Sequence, residues 1–189
     1  MATFTPLWLL PVITLIVCST TGQLLAETLI SIHLPHAFLT MGVSIVMVVI
    51  GGCLALMILT VYISRILIDG FPDIDVIISS FIPLGACSQA GYSLLLLGQN
   101  LKATMPSGAG SVTGDELSGR ILSACCFFTS FSLWSLGIWW LFMAFIVIAD
   151  MLLRGYRIPF NLAFWGLVFP NVCSSCLPYM SSTINTIRL

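Results

Sequence analysis

The spacing of its charges leaves this chain few possible folds. Every acidic and basic residue lies outside five long apolar stretches, Leu7–Ala26, Phe38–Ser64, Val76–Leu101, Ile121–Ala149 and Ile158–Ile187. The charges cluster instead at Glu27, at Arg65, Asp69, Asp73 and Asp75, at Lys102, Asp115, Glu116 and Arg120, at Asp150, Arg154 and Arg157, and at Arg188. A hydrocarbon core about 30 Å thick takes roughly 20 apolar residues of helix to cross, and each stretch is long enough. Lipid offers backbone groups no hydrogen bonds, and a helix satisfies its own. The expectation is an all-α, polytopic membrane protein with one transmembrane domain over residues 1–189 and spans near 7–26, 38–64, 76–101, 121–149 and 158–187.

Composition points the same way. Of 189 residues, 59% are apolar and 7% charged, where a soluble domain carries roughly 25% charged residues. Six basic and seven acidic side chains could not hydrate a globule of this size, so the lipid bilayer is the expected solvent. A net charge of −1 without a basic run excludes a nucleic-acid partner. No Lys or Arg precedes the first apolar stretch, so the charged opening of a secretory signal is missing. Orientation stays open, because Arg65, Arg154 and Arg157 fall on one side and Lys102, Arg120 and Arg188 on the other.

Polar loops punctuate the spans. Asp69-Gly70-Phe71-Pro72-Asp73 is turn-rich, Met105-Pro106-Ser107-Gly108 opens a longer connection, and Gly155 and Pro159 bracket a short one.

Much chemistry is absent from the sequence. The spans hold no titratable side chain beyond cysteine and tyrosine, whereas a proton-coupled pump places a carboxylate or histidine there. No phosphate-binding G-x-x-x-x-G-K-[ST] run occurs. His33 and His36 lack a third ligand, and Cys173-x-x-Cys176 lacks a second pair, so neither makes a metal site. Asp150 and Arg154 are spaced for an interfacial ion pair. The remaining cysteines sit in apolar runs, as small hydrophobes do. The expectation is a protein that is not an enzyme and needs no cofactor.

Odd and even spans differ. Pro11, Pro83 and Pro170 are expected inside the first, third and fifth spans, where a proline frees carbonyls that lipid cannot satisfy. The same spans carry the amides Gln23, Gln89, Asn161 and Asn171 among small and hydroxyl residues. These groups call for protein or a wet path beside them. The fourth span, with Phe127, Phe128, Phe131, Trp134, Trp139, Trp140, Phe142 and Phe145, reads as an outer wall against lipid. Plain helix packing accounts for prolines and small residues as well as a conducting path does. A path of dipoles, hydroxyls and amides without formal charge suits an anion, which fixed cations would hold too tightly.

Four stretches carry a resemblance: Thr5-Pro6-Leu7-Trp8-Leu9-Leu10-Pro11; Ala55-Leu56-Met57-Ile58-Leu59-Thr60-Val61-Tyr62; Ile82-Pro83-Leu84-Gly85 through Gln89-Ala90-Gly91-Tyr92 to Gln99-Asn100; and Pro159-Phe160-Asn161 through Phe164-Trp165-Gly166 to Pro170-Asn171. With these the chain resembles the C-terminal half of fungal sulfite efflux pumps, in the tellurite-resistance/dicarboxylate transporter family that includes plant slow anion channels. The third stretch favours the sulfite branch over the malate branch.

The resemblance implies a ten-helix fold of five hairpins around a central pore, in which these spans match the fifth to ninth helices. Odd helices line the pore and even ones face lipid. Pro11, Thr20, Pro83, Ser88, Gln89 and Pro170 are then the pore-lining candidates, and Phe169 matches the aromatic that occludes the pore, though it also reads as an ordinary core residue. The implied function is passage of a small inorganic anion, sulfite, or else a dicarboxylate, across a fungal plasma membrane. A homo-oligomer is one assembly this allows; the alternative from another class is a non-transporting membrane fragment that is inert or pairs with a full-length homologue.

Two departures stand out. The family's first four helices have no counterpart, and the pattern stops after Asn171, where the chain reads Val172-Cys173-Ser174-Ser175-Cys176-Leu177-Pro178-Tyr179. A chain truncated in front and altered behind is the expectation, and such a half-pore would leave Gln89 and Asn171 facing lipid.

Overall fold

A computed structural model of the protein describes residues 6–69, 81–104 and 116–153. A 3-10 turn, Pro6–Leu9, leads into four α-helices: α1 (Leu10–Ile30), α2 (Leu34–Asp69), α3 (Ile82–Thr104) and α4 (Glu116–Leu153). The architecture of the described residues is all-helical, as expected. The fifth expected span, 158–187, lies outside them, and with it Phe169 and Pro170.

Three of the helices are long and apolar enough to cross a membrane: α1, Leu34–Ile68 of α2, and Ser118–Asp150 of α4. The described part of the third expected span belongs to α3, whose composition falls short of that standard. Gly85, Ser88, Gln89, Gly91, Ser93, Gly98, Gln99 and Asn100 dilute its apolar content. They do so because α3 is the central element. Its residues 83–91 form an unbroken buried run, so nearly every face meets protein. α2 and α4 outrun their charge-free stretches: 36 and 38 residues, at 1.5 Å each, give rods of about 54 and about 57 Å.

Proline placement corrects one expectation. Pro11, Pro35 and Pro83 each occupy the second residue of a helix, α1, α2 and α3 respectively. In a first turn the missing N–H has no intrahelical acceptor to lose, and the fixed φ suits helix initiation. Pro11 and Pro83 are therefore helix starters and free no mid-membrane carbonyls.

The helices lie in the order α2, α1, α3, α4, with neighbours in that sequence making the main contacts. α1 and α2 form an antiparallel hairpin whose link is closed by His33 N–H donating to Leu29 O at 2.8 Å and Ala37 N–H donating to His33 O at 3.1 Å. α3 and α4 run antiparallel as well. Gly98 lies against Ser123 and Cys126, and Gly137 against Ser88 and Leu84. Ser130 Oγ donates to Gly91 O at 2.6 Å. Such backbone-to-backbone approach is how helices associate where lipid removes the hydrophobic drive between them.

The main core joins all four helices through Ile13, Ile16, Leu59, Leu84 and Trp140, among others. Outward, α2 exposes Leu39, Val43, Val46, Met57 and Val61, and α4 exposes Phe127, Phe128, Phe131, Trp139, Phe142 and Phe145. One member of the expected outer wall is misplaced. Trp140 is 2% exposed and stacks on Tyr62 of α2, centroids 5.6 Å apart at 21°. Successive helical residues are separated by about 100°, so Trp139 can face outward while Trp140 faces the core.

Candidate functional site

Six of the polar side chains buried among these helices meet at the α1–α3 seam: Ser19, Thr20 and Gln23 on α1, and Gln89, Ser93 and Asn100 on α3. Spacings of one turn on α1 and of four and eleven residues on α3 keep each set near a single helical face. Ser19 meets Ser93 and Gln23 meets Asn100, so the two helices run parallel, with α2 returning between them in sequence.

Each rung has its own partners. Ser19 Oγ donates to Ser44 O on α2 at 2.7 Å and shares a 2.8 Å hydrogen bond with Ser93 Oγ. Gln89 Nε2 donates to Thr20 Oγ1 at 2.9 Å, while Thr20 Oγ1 donates to Ile16 O at 3.1 Å. Asn100 Nδ2 donates to Gln23 O at 2.8 Å and to Gln23 Oε1 at 3.2 Å. Thr104 Oγ1 closes the end of α3 by donating to Asn100 O at 2.9 Å. All six seam residues carry no formal charge. Hydrogen bonds of this kind remove the cost of placing amides and hydroxyls in a low-dielectric interior.

Three buried polar atoms in the described residues lack a hydrogen-bond partner: Gln23 Nε2, Ser88 Oγ and Trp140 Nε1. Ser88 is turned to α4, where its Oγ would lie 3.1 Å from a Cβ at Gly137.

Of the residues singled out from sequence, Thr20 and Gln89 are brought into direct contact. Ser88 is adjacent in sequence to Gln89 but faces the other neighbour. Pro83 is buried and Pro11 exposed. Gln89 is 7% exposed, which overturns its expected exposure to lipid: Thr20 of α1 supplies it a partner. Asn171 lies outside the described residues. Ser19, Gln23, Ser93 and Asn100 were not among the site candidates, although the one-face spacing of polar residues on α1 and α3 was the signal for them. His33 and His36 are exposed with ring centroids 5.8 Å apart. Among the described residues no group of three or more metal-ligating side chains comes together.

Comparison with known proteins gives these helices a context. The chain is 29% identical to the sulfite efflux pump SSU1 of Candida albicans, with 86% of this chain and 34% of the pump covered. Its identity to the sulfite efflux pump SSU1 of Arthroderma benhamiae is also 29%, covering 89% of this chain and 42% of the pump. That of Arthroderma otae is 27% identical over 98% of this chain and 47% of its own length. The chain thus spans less than half the length of these relatives. No solved structure matches it. The voltage-dependent anion channel family, SLAC1, matches residues 1–181, and the chain belongs to that family.

Proposed function

We propose that this chain forms part of a pathway that carries a small inorganic anion, sulfite, out through the plasma membrane. Passage is gated and runs along an uncharged central pore. The observation that carries the reading is the α1–α3 seam, in which amides and hydroxyls are buried between helices with no formal charge among them. An anion moving between such groups is held by several weak contacts and released again. The relatives named sulfite efflux pumps supply the choice of anion.

On this reading the four helices and the span 158–187 correspond to the fifth to ninth helices of a ten-helix, five-hairpin fold. α1 and α3 face the pore, α2 and α4 face lipid, and Phe169 closes the path. The test is sulfite flux from vesicles containing the chain, alone and together with a full-length relative, with malate as competitor. Sulfite-selective efflux supports the reading. Malate flux that sulfite does not inhibit moves the substrate to a dicarboxylate.

The short coverage of the relatives favours a second reading, in which the chain does not transport by itself and acts by pairing with a full-length homologue. Co-purification with that homologue, without flux through the chain alone, selects it.

A further inference from the structure

The Gln23 carboxamide has one end fixed and the other unpartnered. Asn100 Nδ2 lies 2.8 Å from the backbone oxygen of Gln23, an atom that can only accept a hydrogen bond. That contact fixes which end of the Asn100 amide faces α1. The Gln23 side-chain atom 3.2 Å from the same nitrogen must also be an acceptor, hence Oε1. The Gln23 amide is thereby prevented from flipping, and its Nε2 points away from Asn100. This nitrogen is buried without a hydrogen-bond partner, on a residue that is 0% exposed. Native interiors rarely leave such a donor unmatched, and each case calls for an explanation.

We infer that Gln23 Nε2 is a hydrogen-bond donor to a small oxyanion in the transport path, with Asn100 as the residue that positions it. The inference rests on the anion-transport reading. Its chemistry follows from what the site offers. The amide presents two N–H groups, while its oxygen is occupied by Asn100, so the free end attracts oxygen acceptors and has nothing for a cation. Seam neighbours Ser19, Thr20, Gln89 and Ser93 are neutral: Ser19 bonds Ser93 and Ser44 O, and Thr20 accepts from Gln89 and donates to Ile16 O. A neutral, pre-oriented donor contacts an anion without trapping it. The other two unpartnered atoms differ in place: Ser88 Oγ faces α4, and Trp140 belongs to the aromatic core.

The test uses the chain itself, with nitrogen-15 on its glutamine side chains, reconstituted in lipid nanodiscs. Only Gln23, Gln89 and Gln99 contribute signals, and Gln23→Met identifies the pair from Gln23 by its loss. Sodium sulfite is titrated in one arm and sodium malate in another, at constant ionic strength. The expected result is a saturable movement of the Gln23 N–H pair with an oxyanion. Asn100→Leu, which releases the amide, should weaken the apparent affinity about tenfold. Gln23→Glu keeps the shape but replaces the donor with an acceptor, and should abolish binding measured by labelled sulfite. Movement with malate alone keeps the site and changes the anion. A Gln23 pair that stays still in both arms, as expected if only water or protein meets the donor, overturns the site. Should sulfite flux persist in that case, the transport reading stands without it. If flux is absent too, both fall. Undiminished sulfite binding in Gln23→Glu also overturns the site.

Discussion

Gln89 on α3 donates its side-chain N–H to the hydroxyl of Thr20 on α1 across 2.9 Å, with both residues buried. Thr20 passes the bond on, donating to Ile16 O at 3.1 Å. The two parallel helices are thus tied by polar contacts where hydrocarbon offers none. A bond of this kind contributes little net energy, because a helix separated from its partner in lipid finds other acceptors. Its larger effect is on register: sliding α1 along α3 by one turn would separate Thr20 from Gln89, Ser19 from Ser93 and Gln23 from Asn100 together.

A double-mutant cycle measures the first of these ties. Thr20→Val and Gln89→Leu should show a coupling of about 0.6 kcal/mol, within the roughly 2 kcal/mol ceiling seen for interhelical hydrogen bonds in membranes. Reversible unfolding in mixed micelles provides the readout. Additive single-mutant effects would remove the tie from the account of the seam.

The α3–α4 contact makes a sharper prediction about size. A Cβ at Gly98 would lie 3.0 Å from Cys126 Cβ and 3.3 Å from Ser123 O, and the second of these atoms is backbone. Gly98→Ala should therefore push the helices apart and cost about 1–3 kcal/mol, as overpacking does. At Gly42 a Cβ would meet nothing within 4 Å. Gly42→Ala should stabilise α2 by up to about 1 kcal/mol through helix propensity alone. Opposite signs for the two substitutions in one unfolding assay are the expected outcome. Equal effects would show that α3 and α4 are not in close contact at Gly98.

How far the sequence foretold this arrangement depends on what each residue's signal reports. Charge-free runs mark segments that lipid tolerates, which is why α1, α2 and α4 were legible in outline. α3 was legible as helix but its central place was not apparent, because Gly85, Ser88, Gln89, Gly91 and Ser93 look the same in sequence whether they line a path or pack a helix. Pro11 and Pro83 misled for a different reason. A proline tells where a helix cannot donate, and the start of α1 or α3 meets that requirement as well as a kink would. The seam residues Ser19, Gln23, Ser93 and Asn100 follow from periodicity, but pairing them needed the relative placement of two helices 77 positions apart at Gln23 and Asn100. Spacing within one helix carries no such information.

Adjacent tryptophans on α4 should respond in opposite ways. Trp139 is 43% exposed and Trp140 is 2% exposed, so brominated lipid should quench the first and spare the second. Trp140→Ala removes a ring stacked on Tyr62 and should cost about 3–5 kcal/mol, the range for large-to-small changes in a core. Trp139→Ala should cost less than about 1 kcal/mol, since lipid replaces its contacts. Single-tryptophan variants, made against phenylalanine at the other positions, separate the two signals. Equal quenching would place Trp140 on the lipid face and break the link between α2 and α4 at Tyr62.

Phe169 lies outside the described residues, so its role as the occluding side chain rests on the resemblance in Phe164-Trp165-Gly166 to Pro170-Asn171. If an aromatic ring blocks the path, removing it lowers the barrier to a passing anion without altering how the seam holds one. Phe169→Ala, in a context where the protein conducts, should raise sulfite leak roughly tenfold, the change that about 1.4 kcal/mol of barrier produces. Selectivity for sulfite over malate should stay as it was, because on the proposed reading the seam and not the ring contacts the anion. Gln89→Leu should do the reverse, altering the affinity for sulfite while leaving the leak unchanged. The pair of variants separates a gate from a binding contact. Unchanged conductance in Phe169→Ala at normal membrane abundance returns Phe169 to the packing residues.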